Sequence, residues 1–265
     1  MAPVQLLPSP SGAAVTSIVY GIVSARRAAE DALPPGLGDA RLVAVEHGDL
    51  AALLSPYSEE LAESAGAEQA LAYAHVVGQL HRRMTILPMR FGSFVRRAEA
   101  AAEFLSKYEA EFSDALATLE GCDEFGLRLL LPPSPHAAEA EPPGERADAR
   151  EGASYLADRR RFYDRQAKEE RTCGAWAERA EEAFAGMVRR SSWERAARPE
   201  GTLLSLSFLV EKADAHAFLE ACRKFRSEHA GEVAAICTGP LPPYVFVAGL
   251  VKPSTTARAE REFLH

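Results

Sequence analysis

TLLSLSFLVEKADAHAFLEACRKFRSEHAGEVAAICTG, residues 202–239, decides the fold class of this chain. TLLSLSFLV (202–210) is a short apolar run of strand character. Asp214 stands where a helix N-cap is expected. Behind it Ala215, Phe218, Leu219, Cys222 and Phe225 recur at three- and four-residue steps, giving one apolar stripe on a helix. Gly231 ends that helix, and EVAAICTG (232–239) reads as a strand. Downstream, Gly239, Pro240, Pro242 and Pro243 make a stiff extended entry into YVFVAGLV (244–251), which reads as another strand with Tyr244 and Phe246 on one face. This strand–helix–strand–strand order predicts α+β layers, a mainly antiparallel sheet with helices on one face.

Upstream, residues 154 to about 196 read as a long helical region. Its first part, YLADRRRFYDRQAKEER, is highly charged; its later part sets Ala177, Ala180, Phe184 and Met187 at core spacing, with Gly174 and Gly186 as interruptions. Before it, PPSPHAAEAEPPGERADAREG (132–152) combines two proline clusters with few apolar side chains, the composition of a linker and domain boundary.

The first half repeats the theme. TSIVYGIV (16–23) is a continuous β-branched run, as in a buried strand. RLVAVEHG (41–48) reads as a second strand, with Gly48 and Asp49 turning the chain into a short helix. In 68–84, Leu71, Ala74, Val77 and Leu80 form a helical stripe. Pro88 confines TILPMRFGSF (85–94) to an edge, a bulge or a strand start. Residues 96–120 read as one helix with Phe104, Leu105, Tyr108, Phe112, Ala115, Leu116 and Leu119 buried, ended by Gly121 in left-handed geometry. EFGLRLLL (124–131) is a strand. The predicted organisation is a disordered tail (1–14), an N-terminal α+β domain (15–131), a linker (132–152), a C-terminal α+β domain with long helices (153–251) and a polar tail (252–265).

The chain has 265 residues, 47% hydrophobic and 26% charged, enough for two cores. Its formal net charge of −8 argues against nucleic acid, where affinity rests on cations neutralising phosphates, and against anionic membranes. No run approaches the length of a membrane span, and no secretory leader is read at the start, so the cytoplasm is the expected compartment. Cys122, Cys173, Cys222 and Cys237 show no CxxC spacing and read as reduced, structural thiols.

No set of residues has the spacing of a catalytic or metal centre. His75 and His81 are six apart on a helix and face different ways. His47, in HGD beside Asp49, reads as part of a turn. No phosphate-binding glycine loop or nucleophile elbow occurs. Two segments stand out. RRMTILPMRFGSFVRR (82–97) holds five arginines, four bracketing an apolar core and Arg90 between Met89 and Phe91. The other is TGPLPPYVFVAGLV (238–251).

These segments carry a resemblance. LPMRFGSF (87–94) is similar to the LPLRFGT-type motif of the GvpF/GvpL family of gas vesicle proteins, and GPLPPYVFV (239–247) to that family's GPWPPYSFV-type motif. IVYGIV (18–23) resembles its opening strand with a Tyr-Gly pair. EHGDLAALLS (46–55) resembles its GDLAAVVS-type turn and helix, and AHVVGQLH (74–81) its helical Ala-His pair. The departures are Leu241 in place of Trp and Val245 in place of Ser. The resemblance implies a two-domain α+β protein with a modified ferredoxin-like N-terminal domain. It implies an accessory or minor structural role in gas vesicles: no enzyme activity and no cofactor, contact with the hydrophobic shell protein and other accessory proteins, and residence in the cytoplasm before assembly and in the vesicle after. Arg90, Phe91, Tyr244 and Phe246 are the expected protein-interaction residues. Gly92, Gly239, Pro242 and Pro243 are the expected structural ones. The rival reading is an α+β domain that receives an anionic small molecule at Arg90.

Overall fold

The computed structural model describes residues 16–57, 66–132 and 152–248. The expected tails at 1–14 and 252–265, and residues 133–151 of the expected linker, lie outside them. The chain divides into two units: one takes residues up to Cys122 and the chain from Leu241 onward, the other Asp123–Pro240.

The first unit runs β1 (Ser17–Ser24), α1 (Ala25–Glu30), β2 (Val43–His47), β3 (Leu50–Pro56), α2 (Ala67–Arg83), β4 (Leu87–Pro88), β5 (Phe94–Val95), α3 (Ala98–Lys107) and α4 (Glu109–Leu119). Its sheet order is β2-β3-β1-β4, with β5 also on β1, and these strands pair antiparallel. A β-α-β-β-α-β order with the first strand between the third and fourth is the ferredoxin-like arrangement. It is modified here by the split outer strand and by α3 and α4.

The segment expected to be a helix after Gly48 is β3. Gly48 and Asp49 form a two-residue hairpin loop, with His47 paired to Leu50. Gly48, at φ 55°, takes the first central position of that turn, where left-handed geometry is required. Leu and Ala favour helices in isolation, but here burial decides: Leu50 to Leu54 are all buried. Ala51 and Leu53 join the core beneath α2, while α3 and α4 also pack on β3. Helices therefore cover both faces of this sheet, where one was expected. The helix expected over 96–120 is two, breaking at Tyr108 (φ −120°, ψ 29°), and Gly121 takes the expected positive φ.

The second unit has β6 (Cys122–Leu131), α5 (Gly152–Ala183), β7 (Val188–Arg198), β8 (Gly201–Glu211), α6 (Ala215–Glu228) and β9 (Ala234–Leu241). Its sheet order is β7-β8-β6-β9. Element order and strand order reproduce those of the first unit: the described residues form two βαββαβ units, a repeat of topology. The expected boundary moves accordingly. β6 opens the second unit because Phe125, Leu127, Leu129 and Leu131 fill its core with Leu204, Leu206 and Phe208. In sequence the proline-rich stretch falls between β6 and α5, within the span of this unit.

The helix expected to reach 196 stops at Ala183, and Gly186 (φ 82°) redirects the chain. Residues 188–198 pair along their length with β8 instead. Their Ala, Glu and Arg favour helix, so cross-strand pairing overrides local preference. As an edge strand β7 is exposed, and Arg189, Arg190, Arg195 and Arg198 blunt it against further pairing. Phe184 centres the core, its ring 4.8 Å from Phe218, 5.1 Å from Phe208 and 5.7 Å from Phe225. Asp214 holds the N-cap position of α6 without a side-chain capping bond.

Candidate functional site

The two motif segments meet in the first unit. β4 and β5 pair with the same side of β1, Pro88 opposite Gly21 and Phe94 opposite Ile18. The register slips by three residues between these pairs, so Arg90, Phe91 and Gly92 loop out of an otherwise continuous strand. Met89 N–H donates to Tyr20 O (3.0 Å) on one side of the loop, and Val19 N–H to Ser93 O (2.9 Å) on the other. Ser93 N–H closes the turn on Arg90 O (3.1 Å), with Gly92 at φ 93°, the third-position geometry of a type II turn. Pro88 costs no ladder bond because β4 is an edge strand.

Tyr73 of α2 supports this loop from below. Its ring stacks on Tyr20 (5.1 Å between centroids) and meets Phe91 at 5.5 Å. Its hydroxyl shares its one proton between Val19 O (2.8 Å) and Met89 O (2.9 Å). Burial, then the neighbouring Tyr244 and Tyr20 hydroxyls, push its pKa well above the usual value. The expected stripe of Leu71, Ala74, Val77 and Leu80 omits Tyr73. The buried set is Gln69, Tyr73, Val76, Val77, Leu80 and His81, and Leu71 is 72% exposed. The Gln69–Tyr73–Val76–Leu80 spacing was the available signal. Tyr20 is locked in turn: its hydroxyl meets Ser55 Oγ (3.0 Å) and accepts from Leu37 N–H (2.8 Å). Gly21 of the Tyr-Gly pair has no room for a side chain, since a Cβ would lie 2.6 Å from Leu87 O.

YVFV, expected as a strand, is the short helix α7 (Tyr244–Val247). Tyr244 N–H bonds Pro242 O (2.8 Å) and Ala248 N–H bonds Tyr244 O (3.1 Å). The helical turn replaces the expected period of two. Tyr244 packs on the Tyr73 core half-buried, and burial pushes its pKa up to about 12. Phe246 is buried, whereas Val245 (43%) and Leu241 (41%) are exposed. Pro242 and Pro243 are buried at the entry to α7, which packs against β4. Gly239, in the second unit, has φ 126°, and a Cβ there would meet Glu124 O at 2.9 Å.

Arg90 is exposed, and among the described residues its guanidinium has no ion-pair partner. Phe91 is half-buried beside it. His75 is exposed and bonds Gln79, while His81 is buried. His47 lies 3.6 Å from Glu109. Among the described residues no group of three or more His, Cys, Asp or Glu could hold a metal ion, and no helix is long and apolar enough to cross a membrane.

The fold is shared with known proteins. The chain is similar to the crystal structures of gas vesicle protein GvpF from Anabaena sp. PCC7120 (TM-score 0.64, 15% identity, 88% of this chain and 96% of that one) and from Microcystis aeruginosa (TM-score 0.65, 14% identity, 88% and 99%). In sequence it is 28% identical over 248 residues to gas vesicle protein F of Streptomyces sp. (strain CB03234), covering 88% of this chain and all of that protein. It is 28% identical over 201 residues to gas vesicle protein L of the same strain, covering 70% and 71%. The family described as gas vesicle synthesis protein GvpL/GvpF matches residues 17–248. Tyr-Gly strand, looped-out LPMRFGSF and proline-led α7 thus lie in one matched span, and the chain belongs to the GvpL/GvpF family of gas vesicle synthesis proteins.

Proposed function

We propose that this chain is a non-enzymatic accessory protein of gas vesicles that binds the hydrophobic shell protein, alongside other accessory proteins, and assists nucleation or assembly. It works from the cytoplasm and arrives at the vesicle with its partners. The observation that carries the reading is the Arg90 loop. Three residues are pushed out of a strand whose backbone is fixed on both flanks, and the cation is presented outward over a rigid aromatic base. An arginine so placed can grip a carboxylate or backbone carbonyls with a planar fork. Leu241 and Val245 add exposed apolar surface in the same unit, on the segment leading into and through α7; Phe246 instead anchors α7.

The physical need is clear. A subunit that coats a gas space carries apolar surface before assembly, and uncovered apolar surface aggregates. A soluble partner with a net charge of −8 covers such surface while charge keeps the complex dispersed. The test is co-purification of the shell protein with the wild-type chain and with Arg90→Ala, folding being checked by thermal melting. Reduced recovery at unchanged melting temperature supports the reading. Equal recovery removes Arg90 from the interface, and failure of the wild-type chain to retain shell protein removes the function itself.

A further inference from the structure

We propose that Cys222 and Cys237 form a modification site for thiol–disulfide exchange, taking a low-molecular-weight disulfide such as oxidised glutathione and closing into an intramolecular disulfide between α6 and β9. The two Sγ atoms lie 3.1 Å apart, and both thiols are free in the structure. A disulfide bond is about 2.05 Å long, so about 1 Å of approach completes it. Cys222 sits on α6 between Phe218 and Phe225, which are anchored in the core, and Cys237 packs against the same core from β9.

The two thiols differ in the way an exchange reaction requires. Cys237 is partly exposed, whereas Cys222 is 2% exposed. The neighbouring Cys222 thiol favours the charged form of Cys237, and Arg226 and the Thr238 backbone add to this. Together they hold Cys237 below the ordinary thiol value, although burial opposes them. Cys222 is correspondingly raised, by its bond to Cys237 and then by burial. Cys237, the more accessible of the two, is therefore the attacking sulfur and buried Cys222 the resolving one. In the first step the Cys237 thiolate attacks one sulfur of oxidised glutathione, forming a mixed disulfide and releasing one glutathione thiolate. In the second, Cys222 gives its proton to solvent and attacks the Cys237 sulfur, expelling the other glutathione. The two protein thiols lose two electrons and two protons, and one glutathione disulfide becomes two glutathione thiols.

The other cysteines lack this arrangement. Cys122 points its thiol at Glu120 O (3.6 Å), and burial raises Cys173 inside the second core. The closed form would staple the edge strand β9, with Ile236 64% exposed, to the helix above it.

The experiment treats the full chain with oxidised glutathione, unfolds it in N-ethylmaleimide to block the remaining thiols, and maps peptides by mass spectrometry. A peptide pair joining Cys222 to Cys237, with Cys122 and Cys173 alkylated and the link reversed by dithiothreitol, is the expected result. Cys222→Ser should stop at glutathione on Cys237, because the resolving thiol is gone. Full alkylation of all four cysteines, or a link between any other pair, overturns the proposal. The wild-type chain carries the main readout, so the experiment decides even if the variant folds poorly.

Discussion

Replacing Gly239 with alanine tests whether the glycine of the GPLPP segment is a geometric requirement. At φ 126° the residue occupies backbone space that side chains avoid, a strain of about 1–3 kcal/mol for a non-glycine residue. The added Cβ would also lie 2.6 Å from Phe125 Cδ1 and 2.9 Å from Glu124 O. The oxygen belongs to the backbone of β6, and Phe125 is wholly buried with its ring 4.9 Å from that of Phe218. Neither neighbour yields freely, which adds about 1–2 kcal/mol of overpacking. A total loss of about 2–4 kcal/mol is expected. The assay is urea unfolding followed by tryptophan fluorescence. The chain's two tryptophans, Trp176 and Trp193, both lie in the unit that contains Gly239, so the signal reports that unit. Gly174→Ala is the control: it sits within α5 with nothing within 4 Å of an added Cβ, and should stabilise by about 0.5–1 kcal/mol. A loss below about 1 kcal/mol in Gly239→Ala, or an equal loss in the control, would refute the reasoning.

Other outcomes follow from the same contacts. Arg90→Ala should leave stability within about 0.5 kcal/mol, as for an exposed side chain, while weakening capture of shell protein; a large drop in melting temperature would mean a structural ion instead. Tyr73→Phe removes the donor shared by the Val19 and Met89 carbonyls and should cost about 1–3 kcal/mol in chemical denaturation, with a value near zero counting against Tyr73 as the support of the Arg90 loop. Tyr244 has its pKa raised by burial from 10.0 to about 12, so the unfolded chain gives up this proton first. Its stabilising contribution is complete below pH 10 and is lost as pH rises toward 12. Tyr244→Phe should flatten that part of the stability profile, and an unchanged slope would contradict the burial. Oxidation of the Cys222–Cys237 pair closes a 15-residue separation and should stabilise the second unit by up to about 3 kcal/mol in the fluorescence assay.

Much of this architecture was legible in local pattern. Gly121 and Gly48 marked turns because their backbone needs positive φ, which composition alone signals. The apolar runs at 16–23, 124–131 and 202–210 marked strands because burial demands them, and the stripe ending at Phe225 marked α6. The family motifs were visible as strings of residues. Three matters belonged to the tertiary structure. Leu50–Pro56 and Val188–Arg198 carry helix-favouring residues yet form strands, because pairing with β1 and β2 in one case and with β8 in the other outweighs local preference. The boundary between units follows which core the side chains fill, so β6 joined the second unit and α7 the first despite their places in the chain. The site was divided in the same way. Sequence singled out Arg90 and Phe91, but Tyr73 beneath them, the exposure of Val245 in place of Phe246, and the approach of Cys237 to Cys222 depend on residues distant in sequence meeting in space. Periodicity along one segment carries no information about what lies across from it.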